Sequence, residues 1–222
     1  MGLAPYGTEY HGKKSLEHFR KFDEVKGSEL INRDIYDDVY YSSKKALEGQ
    51  RFDGIAWGVQ TYLEETLKKW VLNNIKKYNI KDVVLSGGVA QNIKALQVLK
   101  KNHKINSVWA GPISGDGSLA IGAAWSAVKN YSNDIILGLE TIYLGTEISR
   151  KSSDVEVSKI SKKFKILDKY SAKDVAKWIF SGLIIARCEG KMEFGQRALG
   201  NRSILADPRK FDTVQRINKK IK

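Results

Sequence analysis

From Asp53 to Tyr78 apolar residues return every three or four positions, at Ile55, Val59, Tyr62, Leu63, Leu67, Trp70, Val71 and Ile75. That spacing lines them along one stripe and predicts a long amphipathic helix. A short apolar run, Val83-Val84-Leu85, then ends in Ser86-Gly87-Gly88 and is followed by helix-permissive residues from Ala90 to Leu99 and a β-type stretch from Ile105 to Ala110. Strand, helix and strand in that order predict a parallel βαβ unit. The loop Gly111 to Ser118 opens a helix of small residues, Leu119 to Lys129, expected to pack closely on the sheet. By contrast the first fifty residues show weak periodicity, broken by Gly2, Pro5, Gly7, Gly12 and Gly27, so loops and short elements are expected there.

After Asn130 the pattern breaks into a hairpin or crossing segment around Tyr143-Leu144-Gly145, and a domain boundary is expected near residue 150. Beyond it a second alternation predicts a helix over 154–164, a strand over 164–167, a helix over 172–181 and a strand over 183–187. Ser171 with Asp174 forms a capping box before the second of these helices. A glycine-bearing segment from Glu189 to Arg202, then Ser203 to Ala206 and a basic helix to Lys222 complete the chain. The fold class is therefore α/β. The stretch after residue 150 has only about seventy residues, marginal for an independent core.

The chain has 222 residues, 42% apolar and 28% charged, an ordinary globular composition. No long apolar run and no basic-then-apolar start is present, so a soluble, cytoplasmic protein without a membrane span is expected. The single cysteine, Cys188, excludes an internal disulfide and cysteine-based metal sites. The net charge of +13 is regional: residues 1–149 hold 19 Lys+Arg against 17 Asp+Glu, and residues 150–222 hold 19 against 8. A solvated lysine-rich face, a phosphate-bearing small molecule and nucleic acid each account for that excess, in falling order of weight.

Three segments concentrate chemistry. In Ser86-Gly87-Gly88-Val89-Ala90-Gln91-Asn92, glycines between strand and helix let a ligand approach the backbone, and the helix start offers unpaired N–H groups. Asn92 adds an amide for a sugar hydroxyl or base; a plain tight connection is the competing reading. The Gly111–Ser118 loop repeats this geometry at the end of the next strand, so both loops are expected to face one crevice. Its Asp116 suits a cation or a base, or equally the cap of the helix from Leu119. The third segment brings Lys191, Arg197 and Arg202 together with Gly195, Gly200, Asn201 and Ser203. It is a candidate anion pocket, since arginine forks bind carboxylate or phosphate; ion pairs to Glu189, Glu193 and Asp207 are the alternative. His11, His18 and His103 lack ligand or nucleophile partners, and Trp57, Trp70, Trp109, Trp125 and Trp178 read as packing residues.

Four segments in order resemble the nodulation-protein type of O-carbamoyltransferase: Met1-Gly-Leu-Ala-Pro-Tyr-Gly7, Ser86 to Asn92, Gly111 to Ser118 with Ala120 to Ala124, and Glu189 to Arg209. The resemblance implies that residues 1–150 are the C-terminal half of an actin-like (ribonuclease H-like) carbamoyl-transfer domain. It makes 151–222 the N-terminal part of a YrdC-like domain. In such enzymes carbamoyl phosphate and ATP give a carbamoyl-adenylate and pyrophosphate, and the adenylate donates its carbamoyl group to an acceptor hydroxyl. Gly87, Gly88, Asn92 and Gly115 then match residues that hold the adenosine part of ATP or of the carbamoyl-adenylate, and Asp116 a ligand of iron or another divalent metal. Arg197, Asn201, Arg202 and Ser203 match the basic loop that binds carbamoyl phosphate or ATP phosphates, with Arg197 and Arg202 catalytic. Lys191 and Gln196 stand where the family usually has arginine and proline, which removes a guanidinium fork and a loop restraint.

Family members are more than twice as long, so the resemblance implies a fragment that works with the remainder of the enzyme. An RNA-binding relative of the tRNA threonylcarbamoylation proteins and an inactive fragment are the alternative readings. Nucleic acid ranks low because only Phe194 and Phe211 interleave with the basic residues. The acceptor hydroxyl is not legible in the sequence.

Overall fold

The structure, a computed structural model, describes residues 1–33, 38–132, 138–147, 167, 169–210 and 212–221. The helix expected over 154–164, most of the strand after it and the boundary expected near residue 150 lie outside the described residues. The chain divides into two compact units, Met1–Ala123 and Ala124–Lys222. Both mix helices with two-stranded sheets, an α/β composition.

In the first unit α1 (Glu9–Phe19) is followed by the antiparallel hairpin β1 (Asp23–Lys26) and β2 (Glu29–Asn32), then α2 (Val39–Leu47) and the long α3 (Phe52–Tyr78). The N-terminal fifty residues thus hold more regular structure than their weak periodicity predicts. The reason is tertiary: Gly12 costs α1 roughly 0.5–1 kcal/mol of helix propensity relative to alanine, but any Cβ there would overlap the Trp57 ring. Gly54 and Gly58 of α3 are equally closed, against the His11 carbonyl and the Ser15 hydroxyl. Four small residues therefore let the two helix backbones meet, and the buried Ser15 hydroxyl donates to the carbonyls of Gly12 (2.8 Å) and Gly54 (3.1 Å). Farther along, α3 fastens the β1–β2 turn. Trp70 Nε1 donates to the Ser28 carbonyl at 2.9 Å, as does Asn74 Nδ2 at 3.0 Å.

The predicted βαβ unit is present. β3 (Asp82–Leu85) pairs in parallel with β4 (Ser107–Ala110), Val84 opposite Trp109, and α4 (Ile93–Lys100) connects them. One face of this pair lies on α3 and α4 through a core of Leu67, Val71, Ala95, Leu99 and Ile105, with Leu63, Val83, Leu85 and Val108 around it. The opposite face is bare: Val84 is 79% exposed and Trp109 68%. Trp109 is thus not the packing residue its sequence context suggests. The small-residue helix α5 (Leu119–Tyr131) also buries none of its residues, contrary to the close sheet packing expected, and Trp125 on it is exposed.

The second unit contains α6 (Ala172–Phe180), with both halves of the Ser171–Asp174 capping box formed, then β5 (Ile185–Cys188), β6 (Arg202–Leu205) and α7 (Thr213–Ile221). β5 and β6 pair antiparallel, so the segment between them is one long loop. The Tyr143 region lies along that loop: Gly145 N–H donates to the Met192 carbonyl (2.9 Å) and Phe194 N–H to the Ile142 carbonyl (2.6 Å). Among the described residues every buried apolar side chain belongs to the first unit, while the second buries Glu193, Asp207 and Thr213. A marginal apolar core is what its length predicts. No helix among the described residues is long and apolar enough to cross a membrane.

Candidate functional site

The two glycine loops meet at the carboxyl ends of β3 and β4. Gly87 takes φ 95° and ψ 169°, a conformation essentially reserved for glycine, and its N–H donates to the Ser114 carbonyl at 2.6 Å. Ser86 Oγ reaches the same carbonyl at 3.4 Å, and the Ser114 hydroxyl, in a buried residue, donates to the Gly111 carbonyl at 2.9 Å. Gly115 lies under the Gln91 amide, where a Cβ would collide with Nε2. Gly88 is different: nothing lies within 4 Å of where its Cβ would be, so its backbone is open to an approaching group. The loops are thus tied to each other through Ser114 while Gly87 and Gly88 stay accessible.

Asn92 is brought to this end of the unit, with its side chain already engaged. Its Oδ1 caps α4 by accepting from Ala95 N–H at 3.2 Å. Its amide also pairs reciprocally with Gln60, Nδ2 donating to Oε1 at 2.8 Å and Gln60 Nε2 donating to Oδ1 at 3.1 Å. Gln60 Nε2 reaches Glu64 as well, at 2.7 Å. Gln60, a buried polar residue on α3, escapes sequence reasoning because nothing in the helical stripe distinguishes it from a solvent-facing glutamine. Through this pair α3 fixes where the first glycine loop joins α4.

Asp116 opens a 3₁₀ turn, Asp116–Ser118, and is exposed, with no hydrogen bond from its carboxylate to another described residue. Among the described residues no group of three or more His, Cys, Asp and Glu side chains is arranged to hold a metal. One carboxylate does not make an iron centre, since a usable site needs several donors in fixed geometry. His11 Nδ1 lies 3.0 Å from the Thr8 hydroxyl, and His18 is packed beside Phe19 and Phe22 with its pKa lowered by burial and by Lys21. Both have structural surroundings.

The second cluster is the loop between β5 and β6. Arg202 lies on its inner side with its guanidinium spent on main-chain carbonyls: Nη1 donates to Glu189 (2.8 Å) and Asn201 (3.0 Å), Nη2 to Gly190 (3.0 Å) and Thr146 (3.4 Å). Asn201 Nδ2 donates to the Lys191 carbonyl at 2.9 Å, and Ser203 Oγ accepts from Gly200 N–H at 2.9 Å. Arg197 and Lys191 are exposed, and neither side chain bonds to another described residue.

The acidic neighbours divide. Glu189 pairs with Arg187 at 2.5 Å and Asp207 with Arg209 at 2.6 Å. Glu193, 8% exposed, instead accepts backbone N–H bonds on Oε1 from Leu199 and Asn201 (both 2.8 Å) and Arg202 (3.1 Å). Burial alone would raise its pKa; hydrogen bonds from its own N–H and from Leu199, Arg202 and Asn201 win and hold it at about 2. Sequence reasoning places Glu193 among ion-pair partners, whereas it is the centre on which the loop closes.

Comparison with known proteins bears on the family of the chain. The family description "Carbamoyltransferase N-terminus" matches residues 8–125 and "Carbamoyltransferase C-terminus" matches residues 176–222. An uncharacterised protein of Methanocaldococcus jannaschii is 35% identical over 176 residues, 77% of this chain and 29% of its own. Nodulation protein NolNO of Sinorhizobium fredii is 29% identical across the whole chain and 34% of its own length. For nodulation protein NolO of Bradyrhizobium diazoefficiens the identity is 27%, over 100% of this chain and 42% of its own. The chain spans about a third of the length of the curated relatives it matches. With more than half of its residues under one family description and nodulation proteins among its relatives, the chain belongs to the carbamoyltransferase family, of the nodulation-protein type.

Proposed function

We propose that this chain carries two half-sites of an O-carbamoyltransferase, one for ATP and one for carbamoyl phosphate. The observation that carries the reading is the joining of the two glycine loops by the Gly87–Ser114 hydrogen bond at the carboxyl ends of parallel strands. Loops so placed are where α/β folds hold nucleotides. In this reading Gly87, Gly88 and Gly115 form the backbone cradle for the adenosine part, and Asn92 shapes it from behind through its cap and its pair with Gln60. Residues 1–150 then correspond to the C-terminal half of an actin-like transfer domain and 151–222 to the start of a YrdC-like domain.

The basic loop takes the carbamoyl phosphate. Arg197, exposed and unengaged, is the cation offered to the phosphate, with Lys191 six positions before it in the same loop; Arg202, Asn201 and Ser203 shape the loop. Carbamoyl phosphate, ATP and one water yield carbamoyl-adenylate, phosphate and pyrophosphate. An acceptor hydroxyl then attacks the carbamoyl carbon, the bond from that carbon to the phosphate oxygen breaks, and AMP and the hydroxyl proton are released. Positive charge on the loop offsets charge building on the departing phosphate oxygens. A divalent metal such as iron is proposed for the transfer site with Asp116 as one ligand; the described residues alone do not fit a complete metal centre. The complete transfer is placed in an assembly that includes the length the relatives carry beyond the matched region.

Isothermal titration at fixed ionic strength tests this. ATP and carbamoyl phosphate each bind the wild-type chain saturably; Gly88→Ala weakens ATP and leaves carbamoyl phosphate unchanged, while Arg197→Ala weakens carbamoyl phosphate. A folded wild-type chain that binds neither ligand contradicts the proposal.

A further inference from the structure

We propose that Glu193 and Arg202 are positioning residues that act as one brace, fixing the loop between β5 and β6 so that Arg197 is held out toward an anion. The inference rests on reading that loop as the carbamoyl phosphate site, and it adds residues whose contribution passes through Arg197.

The two charges do opposite halves of one task. Backbone N–H groups converging on a single oxygen form the kind of nest that other proteins use for phosphate. Here the chain's own Glu193 carboxylate fills it, taking the N–H groups of Leu199, Asn201 and Arg202. Main-chain donors there are consumed internally, so an incoming anion must be recognised by side chains. Arg202 collects the complementary set, the carbonyls of Glu189, Gly190, Asn201 and Thr146. Neither charge has an ion-pair partner among the described residues; each is balanced by peptide dipoles. Residues Asn201 and Arg202 belong to both halves, giving N–H groups to Glu193 while the Asn201 carbonyl accepts from Arg202.

Glycines make the wrapping feasible. Gly190, Gly195 and Gly200 take φ 55°, 125° and 124°, turning the chain where L side chains rarely go. Gly195 and Gly200 flank Arg197, so the stretch carrying it has a turn on each side and the Glu193 carboxylate beneath its C-terminal end. A free loop would lose the entropy of ordering when an anion binds; a braced loop has lost it on folding, and affinity rises accordingly.

The test uses the full chain, with carbamoyl phosphate and inorganic phosphate as probes, and reads calorimetric affinity beside amide hydrogen exchange at Leu199, Asn201 and Arg202. Glu193→Ala is expected to weaken carbamoyl phosphate at least fivefold and to speed exchange at those three amides, leaving exchange in α3 unchanged. Glu193→Gln, which keeps one acceptor oxygen, falls between it and wild type. Arg202→Lys, which keeps the charge and loses the fork, shows a loss close to that of Arg202→Ala. The deciding readout is the double variant: Glu193→Ala with Arg197→Ala binds no more weakly than Arg197→Ala alone, because the brace acts through Arg197.

Additive losses in the double variant, or unchanged affinity in Glu193→Ala with its amides released, overturn the positioning role. If Glu193→Ala fails to fold, Glu193→Gln and Arg202→Lys carry the same comparison. A wild type that binds inorganic phosphate but not carbamoyl phosphate, with the variant pattern intact, keeps the brace and removes the carbamoyl phosphate reading. Carbamoyl phosphate binding that no loop variant alters keeps that reading and removes the brace. Binding of neither probe removes both.

Discussion

One methyl group placed at Gly87 or at Gly88 separates what the first glycine loop needs in order to fold from what it needs in order to hold a ligand. At Gly87 the backbone lies at φ 95° and ψ 169°, and nothing stands within 4 Å of an added Cβ, so the whole cost of Gly87→Ala is backbone strain. Strain of that kind costs about 1–3 kcal/mol. For a chain of this size about 2–4 °C of melting temperature is lost per kcal/mol, which gives a drop of about 2–12 °C. At Gly88 the added Cβ also meets open space, and φ lies outside the left-handed range, so Gly88→Ala leaves stability unchanged or raises it by about 0.4–1 kcal/mol. The open space at Gly88 is where the proposed nucleotide approaches. Gly88→Ala should therefore weaken ATP about tenfold or more, a loss of about 1.4 kcal/mol, in a protein that melts no earlier than wild type. Thermal melts by circular dichroism and ATP titrations on the same samples provide both numbers. An unchanged ATP affinity in Gly88→Ala refutes close approach at that peptide, and an unchanged melt in Gly87→Ala refutes the loop conformation itself.

Other consequences follow from packing and charge. Gly58→Ala forces a methyl into the Ser15 hydroxyl and the Leu16 backbone and should cost about 1–3 kcal/mol, read as a lower urea midpoint. Leu99→Ala, at a fully buried position of the first unit's core, should cost about 2–5 kcal/mol in the same assay. Asp207, held at about 2 by the Arg209 guanidinium and backbone N–H, has a folded pKa below its unfolded value of about 3.9. Its stabilisation is complete above pH 3.9 and is lost as pH falls through 2, so Asp207→Asn should flatten the melting-temperature profile across that window.

The long helix, the βαβ unit and the capping box at Ser171 were legible because local periodicity and turn chemistry coincide there with the final packing. The two glycine loops were legible for the same reason: strand-loop-helix order fixes which sheet end a loop occupies. α1 was not, because its glycine and serine positions look like breakers until Trp57 and Gly58 of a distant helix arrive to fill the space. Trp109 misled because a tryptophan in a β-type stretch implies a covered sheet face, and coverage is a property of partners rather than of the strand. In the basic loop, sequence identified the charged residues but not their division of labour. Arg202 and Arg197 look alike in one dimension; only the arrangement of four carbonyls around one guanidinium tells the internal one from the outward one. Glu193 has the same explanation, since three of its donors are peptide groups that carry no residue-type signature.

The most direct test of the two half-sites is to titrate carbamoyl phosphate into the wild-type chain already saturated with ATP, at fixed ionic strength, and to compare the isotherm with the one obtained without ATP. Separate loop clusters predict one carbamoyl phosphate bound per chain in both cases. Loss of the carbamoyl phosphate isotherm under saturating ATP, or its absence in both titrations of a folded chain, contradicts the account.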